Sequence, residues 1–262
     1  MPDQKSSRPS RTQRQRQIID TVLASGFASI AQLVEMTGVS AMTVHRDVDD
    51  LAARGLVRKL HGGVSALPTS VFESSSDFRL QRNAEAKAAL AKAALEFVEP
   101  GMSVLLDDST TVLALAGLLP QTAPLTVLTN YRLAMETLRE EPDIQLIAIG
   151  GQYSRTHDSF IGPPSDTGLD AYAVDIVFQS TSTVDGATAY HQEQDVVVMK
   201  RVMLRAGTRR VLMIDGSKTG RTSLHRFVAL SEFTDVIVTD DAPPTVLQAM
   251  REQTRVHVAA LA

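Results

Sequence analysis

The chain has 262 residues, a net charge of −4, 44% hydrophobic and 21% charged residues, and no cysteine. These ordinary proportions exclude wholesale disorder and fibrous classes, and the length allows one large domain or two modest ones. Without cysteine there is no disulfide framework, thiolate metal site or cysteine nucleophile, and no apolar run is long enough to suggest a membrane span.

The charge is unevenly divided. Residues 1–70 hold nine Lys/Arg and six Asp/Glu, net +3, whereas the remaining 192 hold seventeen and twenty-four, net −7. A basic segment ahead of an acidic body suggests a polyanion-binding module attached to something else. The opening MPDQKSSRPSRTQRQRQ is basic and polar with no apolar stretch behind it, unlike a secretory signal. A soluble cytoplasmic protein is expected, with residues 1–13 a basic flexible tail.

From Arg14, apolar residues fall at Ile18, Ile19, Val22 and Leu23, a helical spacing closed by Gly26. Ser29-Ile30-Ala31-Gln32 reads as a capping box opening a second short helix with Leu33, Val34 and Met36 as its apolar residues, and Gly38 suits a left-handed C-cap. Ser40 then caps a third helix whose inner face is Ala41, Val44, Val48 and Leu51, ending near Gly55. Short helices joined by a tight turn form a helix-turn-helix.

With Val44, Val48 and Leu51 inward, Met42, Thr43, His45, Arg46 and Asp49 face outward. Bases are read by the first turns of a recognition helix in the major groove, so Thr43, His45 and Arg46 are the expected readers, with Ser40 and Met42 beside them. The competing reading pairs Arg46 with Asp49 or Asp50 on a solvated face. Leu56–Val64 reads as two short strands around a turn, a wing whose Arg58, Lys59 and His61 face the phosphate backbone of double-stranded operator DNA.

These residues carry a resemblance. The run from Arg14 to Val64 resembles the DNA-binding domain of DeoR-type transcriptional regulators, through Arg46-Asp47 in the recognition helix and the ending Gly55-Leu56 to His61-Gly62-Gly63. The family usually has a second arginine where this chain has His45. The expected winged helix-turn-helix is residues 14–66, followed by a polar, turn-rich linker at 67–78.

Residues 79–262 read as a second domain. Arg79–Val98 is expected as one Ala-rich helix, stopped by Pro100-Gly101. Apolar strands at Val104–Leu106, Leu125–Thr129, Gln145–Ile149, Ile176–Phe178, Val211–Ile214, Val236–Val238 and Val256–Val258 then alternate with helices at Thr111–Leu119, Arg132–Leu138, Gln192–Ala206 and Thr245–Glu252. That pattern predicts an α/β fold with a mainly parallel sheet covered on both faces. Ligands of such sheets bind off the carboxyl ends of the strands. There the chain places Asp107-Asp108-Ser109-Thr110-Thr111, Thr129-Asn130, Gly150-Gly151 and Asp215-Gly216-Ser217-Lys218. Helix-start N–H groups, hydroxyls and a lysine at one rim favour a small phosphorylated or acidic ligand.

The resemblance extends over this domain, and in all from about residue 14 to 241. The order of those motifs, with Asp175 and Lys200 between them, resembles the effector domain of the same family, similar in fold to ribose-5-phosphate isomerase. It implies a repressor of a carbohydrate-utilisation operon, switched by a phosphorylated sugar, with Asp175 and Lys200 in the effector site. The family's phosphate loop usually has Gly where this chain has Ser109, whose side chain is expected to narrow it.

A different reading is a sugar-phosphate isomerase with an accessory DNA-binding domain. Its general base would come from Asp175, Asp185, Glu193 or Asp215, residues equally suited to capping and ion pairing. The regulator reading accounts for the N-terminal domain without further assumption. His157, His191, His225 and His257 lack metal-ligand spacing and read as surface or loop residues, so neither metal nor cofactor is expected. Because one winged helix covers too little sequence to find a genomic site, a homo-oligomer, dimer or tetramer, assembled through residues 79–262 is expected.

Overall fold

A computed structural model describes residues 9–53, 56–65, 76–163 and 168–261. The chain divides into two compact units, Met1–Phe78 and Arg79–Ala262. No helix among the described residues is long and apolar enough to cross a membrane.

In the first unit, α1 (Arg11–Ser25) begins three residues before the expected start. Ser10 and Gln13 form a capping box that satisfies the first free N–H groups, and Gly26 closes the helix with φ 74°. Strand β1 (Phe27–Ser29) leads into α2 (Ile30–Thr37), where the Gln32 N–H donates to Ser29 Oγ at 3.2 Å and the Ser29 N–H to Gln32 Oε1 at 2.8 Å. Gly38, with φ 66°, caps its end. Helix α3 (Ala41–Ala53) follows, its Thr43 N–H donating to Ser40 Oγ at 3.3 Å.

Ile18, Val22, Leu33, Val44, Val48 and Leu51 meet in one core. Ala41 and Met36 do not belong to it: both are exposed, because the buried stripe of α3 begins at Val44 and that of α2 centres on Leu33. The side chain of Leu23 and the expected helix end at Gly55 lie outside the described residues. The wing is β2 (Arg58–Leu60) and β3 (Gly63–Ser65), and β3 pairs antiparallel with both β2 and β1. A Cβ at Gly63 would lie within 2.6 Å of the Phe27 ring and of Ala28 O, so only glycine permits that third strand. Residues 67–75 of the expected linker also lie outside the described residues.

The expected helix 79–98 is two helices, α4 (Ser76–Gln81) and α5 (Ala84–Leu95), broken at Asn83 with φ 52°. Seven parallel strands follow: β4 (Ser103–Leu106), β5 (Leu125–Thr129), β6 (Ile144–Ala148), β9 (Val174–Gln179), β12 (Gly207–Ile214), β14 (Asp235–Thr239) and β15 (Arg255–Ala259). Their order is β15-β14-β12-β9-β4-β5-β6. The helices between them are α6 (Thr110–Ala116), α7 (Arg132–Leu138), α8 (Gln194–Ala206) and α9 (Pro244–Gln253). Helix α6 stops short of the expected Leu119, where Gly117 and a 3₁₀ turn take over.

Alternation within each strand builds two cores. Val104, Leu106, Val127, Phe178 and Met213 face one, with Leu90 and Leu115 of the helices. Leu105, Leu128, Val177, Leu212 and Ile214 face the other, with Val197 and Met203 of α8. Burial on both faces is why these strands are apolar throughout.

Two further pieces escape the strand pattern. A hairpin joins β7 (Gln152–Ser154) to β8 (Ser159–Ile161), and β10 (Thr183–Val184), β11 (Thr188–His191) and β13 (His225–Ala229) form an antiparallel sheet. The order of the large sheet reverses between β4 and β9, which marks the switch point where such sheets open a crevice at their carboxyl ends.

Candidate functional site

On α3, His45 and Arg46 are exposed, Met42 is 65% exposed, and Thr43 is half-buried with its hydroxyl 3.0 Å from Ser40 Oγ. The three aspartates of the helix are each engaged elsewhere. Asp47 is buried and bonded to Arg14, Asp50 pairs with Arg11 at 3.1 Å, and Asp49 pairs with Lys59. Among the described residues, Arg46 has no carboxylate partner, and its guanidinium lies 3.8 Å from Met42 Sδ. The competing pairing of Arg46 with Asp49 or Asp50 is therefore not formed.

On the wing, Arg58 and His61 are exposed, but Lys59 is not free for phosphate as expected: its ammonium is held by Asp49. Both side chains of that pair are at least half exposed, so it is worth at most about 1 kcal/mol, and a phosphate can displace it.

The second unit gathers the strand-end residues around the switch point. Asp107, at the end of β4, accepts the N–H of Ser109 and of Ser180, each at 2.9 Å, and is bonded to Lys200. Asp108 accepts the Ser159 hydroxyl at 2.7 Å and lies 3.6 Å from Lys200 Nζ. Burial alone would raise the Asp108 carboxyl, but the charges of Lys200, His157 and Arg79 and the Ser159 hydroxyl hold it well below the carboxylate range.

Ser109 is the N-cap of α6. Its hydroxyl is turned onto α6, where it accepts the Val112 N–H at 3.1 Å, and its φ of −88° is open to any residue. Thr110 and Thr111 are buried in the first turn of that helix. Thr129 accepts the Tyr131 N–H at 3.1 Å, and Asn130 donates to Phe160 O at 2.9 Å while its own Oδ1 finds no partner. Gly150 and Gly151 follow β6, with Gly151 at φ 153°.

Asp175 is elsewhere. It is the second residue of β9, where it accepts the Ser103 N–H at 2.7 Å and the Ser103 hydroxyl at 2.6 Å. Those bonds lower its carboxyl pKa. Five residues of strand separate it from Ser180, about 16 Å. Asp175 thus sits at the amino edge and does not join the other expected effector residues.

Asp215 and Lys218 do meet, at 3.3 Å, and Asn83 donates to Asp215 Oδ1 at 3.1 Å. This brings the α4–α5 junction into the site. Lys87 is buried and donates to Arg79 O, and burial followed by the charges of Lys218 and Arg79 pushes its pKa down to about 7. The Arg79 guanidinium has two buried nitrogens, Nε and Nη2, without a hydrogen-bond partner. Buried donors of that kind are costly to leave unmet, and the charges of Arg79 and Lys218 both act on the buried Lys87. In the sequence, 79–98 reads only as a packing helix. The available signal was the presence of Arg79, Asn83 and Lys87 at intervals of four in an otherwise Ala-rich stretch.

The four carboxylates considered as isomerase bases have structural partners. Asp175 holds Ser103, Asp215 holds Lys218 and Asn83, Asp185 accepts the Ala187 and Thr188 N–H groups in a turn, and Glu193 is bonded to His157. His157 and His191, expected at the surface, are buried instead: His157 lies in the turn of the β7–β8 hairpin and His191 ends β11.

Residues 14–70 match the model of the DeoR-like helix-turn-helix domain, and residues 82–241 match that of the DeoR C terminal sensor domain. The chain is 32% identical over 241 residues to the uncharacterized HTH-type transcriptional regulator YgbI of Escherichia coli K12, covering 92% of this chain and 94% of that one. It is 32% identical over 241 residues to the L-fucose operon activator of Haemophilus influenzae, covering 92% and 96%. It is 29% identical over 247 residues to the glycerol-3-phosphate regulon repressor of Escherichia coli K12, again covering 92% and 96%. A ribose 5-phosphate isomerase A of Methanocaldococcus jannaschii matches at 19% identity with a TM-score of 0.40, over 52% of this chain and 55% of that one. With family matches spanning both units and relatives named as regulators over nearly their whole length, the chain belongs to the DeoR family of transcriptional regulators.

Proposed function

We propose that this protein is a repressor of a carbohydrate-utilisation operon whose operator affinity is switched by a phosphorylated sugar. The observation that carries the switch is the Arg79 guanidinium, with two buried and unpartnered nitrogens, beside Lys87 and Lys218. A phosphate dianion supplies the acceptors and the charge that this cluster lacks. Thr110, Thr111, Asn130 and Gly151 at the neighbouring strand ends, with the Asp107–Lys200 pair, offer hydrogen-bonding groups for the rest of the ligand. Two relatives carry the names glycerol-3-phosphate regulon repressor and putative aga operon transcriptional repressor, and that naming supports repression here.

A ligand alters DNA affinity only through unequal affinity for the DNA-competent and incompetent arrangements, and the coupling is reciprocal. A tenfold switch needs only about 1.4 kcal/mol of differential binding. The movable elements of this reading are the helices that carry Arg79 and Lys87. The regulator acts as at least a dimer on repeated half-sites, assembled through residues 79–262, and sedimentation of a monomer with full operator affinity would contradict that part.

The test of the switch is a thermal-shift screen of phosphorylated sugars against their unphosphorylated parents, repeated on Lys218→Ala. Stabilisation by a phosphate but not its parent, lost in Lys218→Ala, is expected. Stabilisation by the parents alone, or undiminished stabilisation in the variant, would refute the anion site.

A further inference from the structure

The anion cluster leaves two buried histidines without a role. His157 lies in the turn of the β7–β8 hairpin and His191 ends β11, and they are 2% and 6% exposed. His157 Nε2 shares a hydrogen bond with Glu193 Oε2 at 2.9 Å, and the Glu193 backbone N–H donates to His191 Nδ1 at 3.1 Å. One residue therefore orients both rings, whose centroids stand 6.4 Å apart. Burial, then the charge of Lys200, pushes the His191 pKa down to about 3. The His191 ring is thus neutral, and with Nδ1 serving as acceptor its proton sits on Nε2, a donor.

The hairpin is fastened across the carboxyl edge. The Phe160 N–H donates to Asn130 O at 2.9 Å, Ser159 is bonded to Asp108, and Arg132 clasps Asp158 with two bonds of 2.6 and 2.7 Å. His157 is thereby held at the edge where Asp108 and Lys200 stand, and the charges of Lys200, Asp108 and Arg79 all act on His191. Three more buried polar atoms at this edge lack partners: Asn130 Oδ1, Gln179 Oε1 and Ser180 Oγ. Two are pure acceptors, which an anion cannot satisfy and a hydroxyl can.

We infer that His157, Glu193 and His191 form a specificity wall that, together with the unpartnered acceptors Asn130 and Gln179, reads the hydroxylated carbon chain of the effector rather than its phosphate. The inference rests on the proposed anion site and assigns the second half of the ligand. Arg79, Lys87 and Lys218 take the charge that every phosphorylated sugar shares, so they cannot tell one sugar from another. Discrimination falls to neutral donors and acceptors whose hydrogen bonds a wrong hydroxyl pattern leaves unmade.

The experiment is calorimetric titration of the full chain with inorganic phosphate and with glycerol 3-phosphate, ribose 5-phosphate, glucose 6-phosphate and fructose 6-phosphate. At least one sugar phosphate is expected to bind about tenfold or more tighter than inorganic phosphate. In His157→Ala and His191→Phe that advantage shrinks at least about fivefold while inorganic phosphate binds as before, and His157→Gln, whose amide nitrogen can reach the Nε2 position, restores it. Glu193→Ala, at a partly exposed side chain, repeats the comparison should a histidine variant fail to fold. Equal loss of both kinds of ligand, or an unchanged advantage, overturns the wall and leaves the anion site standing. A wild-type chain that binds neither inorganic phosphate nor any sugar phosphate overturns the anion site itself, and the wall with it.

Discussion

Asp47 of the recognition helix is buried against Arg14 of the first helix, with Arg14 Nη2 3.2 Å from Asp47 Oδ1 and only 2% of the aspartate exposed. The carboxylate, by its hydrogen bond and charge, raises the pKa of Arg14. The middle of the recognition helix is thus tied to α1, beside the exposed His45 and Arg46.

Removing Arg14 leaves the buried Asp47 with only the exposed Arg11 at 3.8 Å, and removing Asp47 leaves Arg14 without its carboxylate. Arg14→Ala or Asp47→Ala should destabilise the protein by on the order of 3 kcal/mol, whereas Arg14→Met with Asp47→Leu should recover much of that loss. Chemical denaturation of the three variants checks this. A loss below about 0.5 kcal/mol in either single variant would place the pair among surface contacts.

Arg46 and Lys59 should fail differently. Arg46→Ala is expected to cost about 1–3 kcal/mol per half-site and to relax specificity at one base pair. Lys59→Ala should weaken all sequences about equally and flatten the salt dependence. Asp49→Asn frees the wing lysine from its present partner and should strengthen non-specific DNA binding. Footprinting and fluorescence titrations across a salt series separate these outcomes, and unchanged specific binding by Arg46→Ala would show the reading face to be wrong.

Lys87 should make binding at the proposed anion site pH-dependent. Its pKa falls from 10.5 to about 7 on folding. The unfolded chain therefore holds more protons between these values, and the penalty on folding, full below pH 7, fades as pH rises through that window. An anion reverses the balance by favouring the ammonium, so binding takes up a proton above pH 7. Sulfate, which does not titrate there, should bind more weakly by up to about tenfold per pH unit from pH 7 to 9. Lys87→Arg should abolish the slope, and calorimetry in buffers of different ionisation enthalpy reads the proton directly. A flat profile in the wild type would remove Lys87 from the site.

Ser109 should be a cap and nothing more. Ser109→Ala is expected to cost about 1 kcal/mol and Ser109→Gly only a few tenths, since glycine is tolerated at that position. Sugar-phosphate affinity should stay within about twofold in Ser109→Gly. Tightening of an order of magnitude would show instead that the hydroxymethyl group obstructs the loop.

Short-range chemistry wrote much of this protein openly. The capping box of Ser29 and Gln32, the glycine at 38 and the spacing of Val44, Val48 and Leu51 involve contacts within one or two turns, so sequence alone locates the helix-turn-helix. The seven strands of the large sheet were legible for a related reason: burial on both faces leaves runs such as Val211–Ile214 wholly apolar. What tertiary structure decided was everything joined across long separations. The hairpin at 152–161 and the sheet of β10, β11 and β13 are short, partly polar strands whose pairing depends on distant partners, and their placement turned His157 and His191 from expected surface residues into buried ones. Asp175 looked like its neighbours in the motif order, but sequence does not record which end of a strand a residue occupies, and the start of β9 put it at the far edge. Asn83 adopts a left-handed conformation that breaks an Ala-rich helix, and its bond to Asp215, 132 residues away, is what brings the Arg79–Lys87 stretch to the strand ends. Local propensity specified the pieces because helix and cap hydrogen bonds close within one or two turns, and because strands buried on both faces are apolar throughout. The site was decided in three dimensions because buried charges and donors take their partners from wherever the packed sheet delivers them.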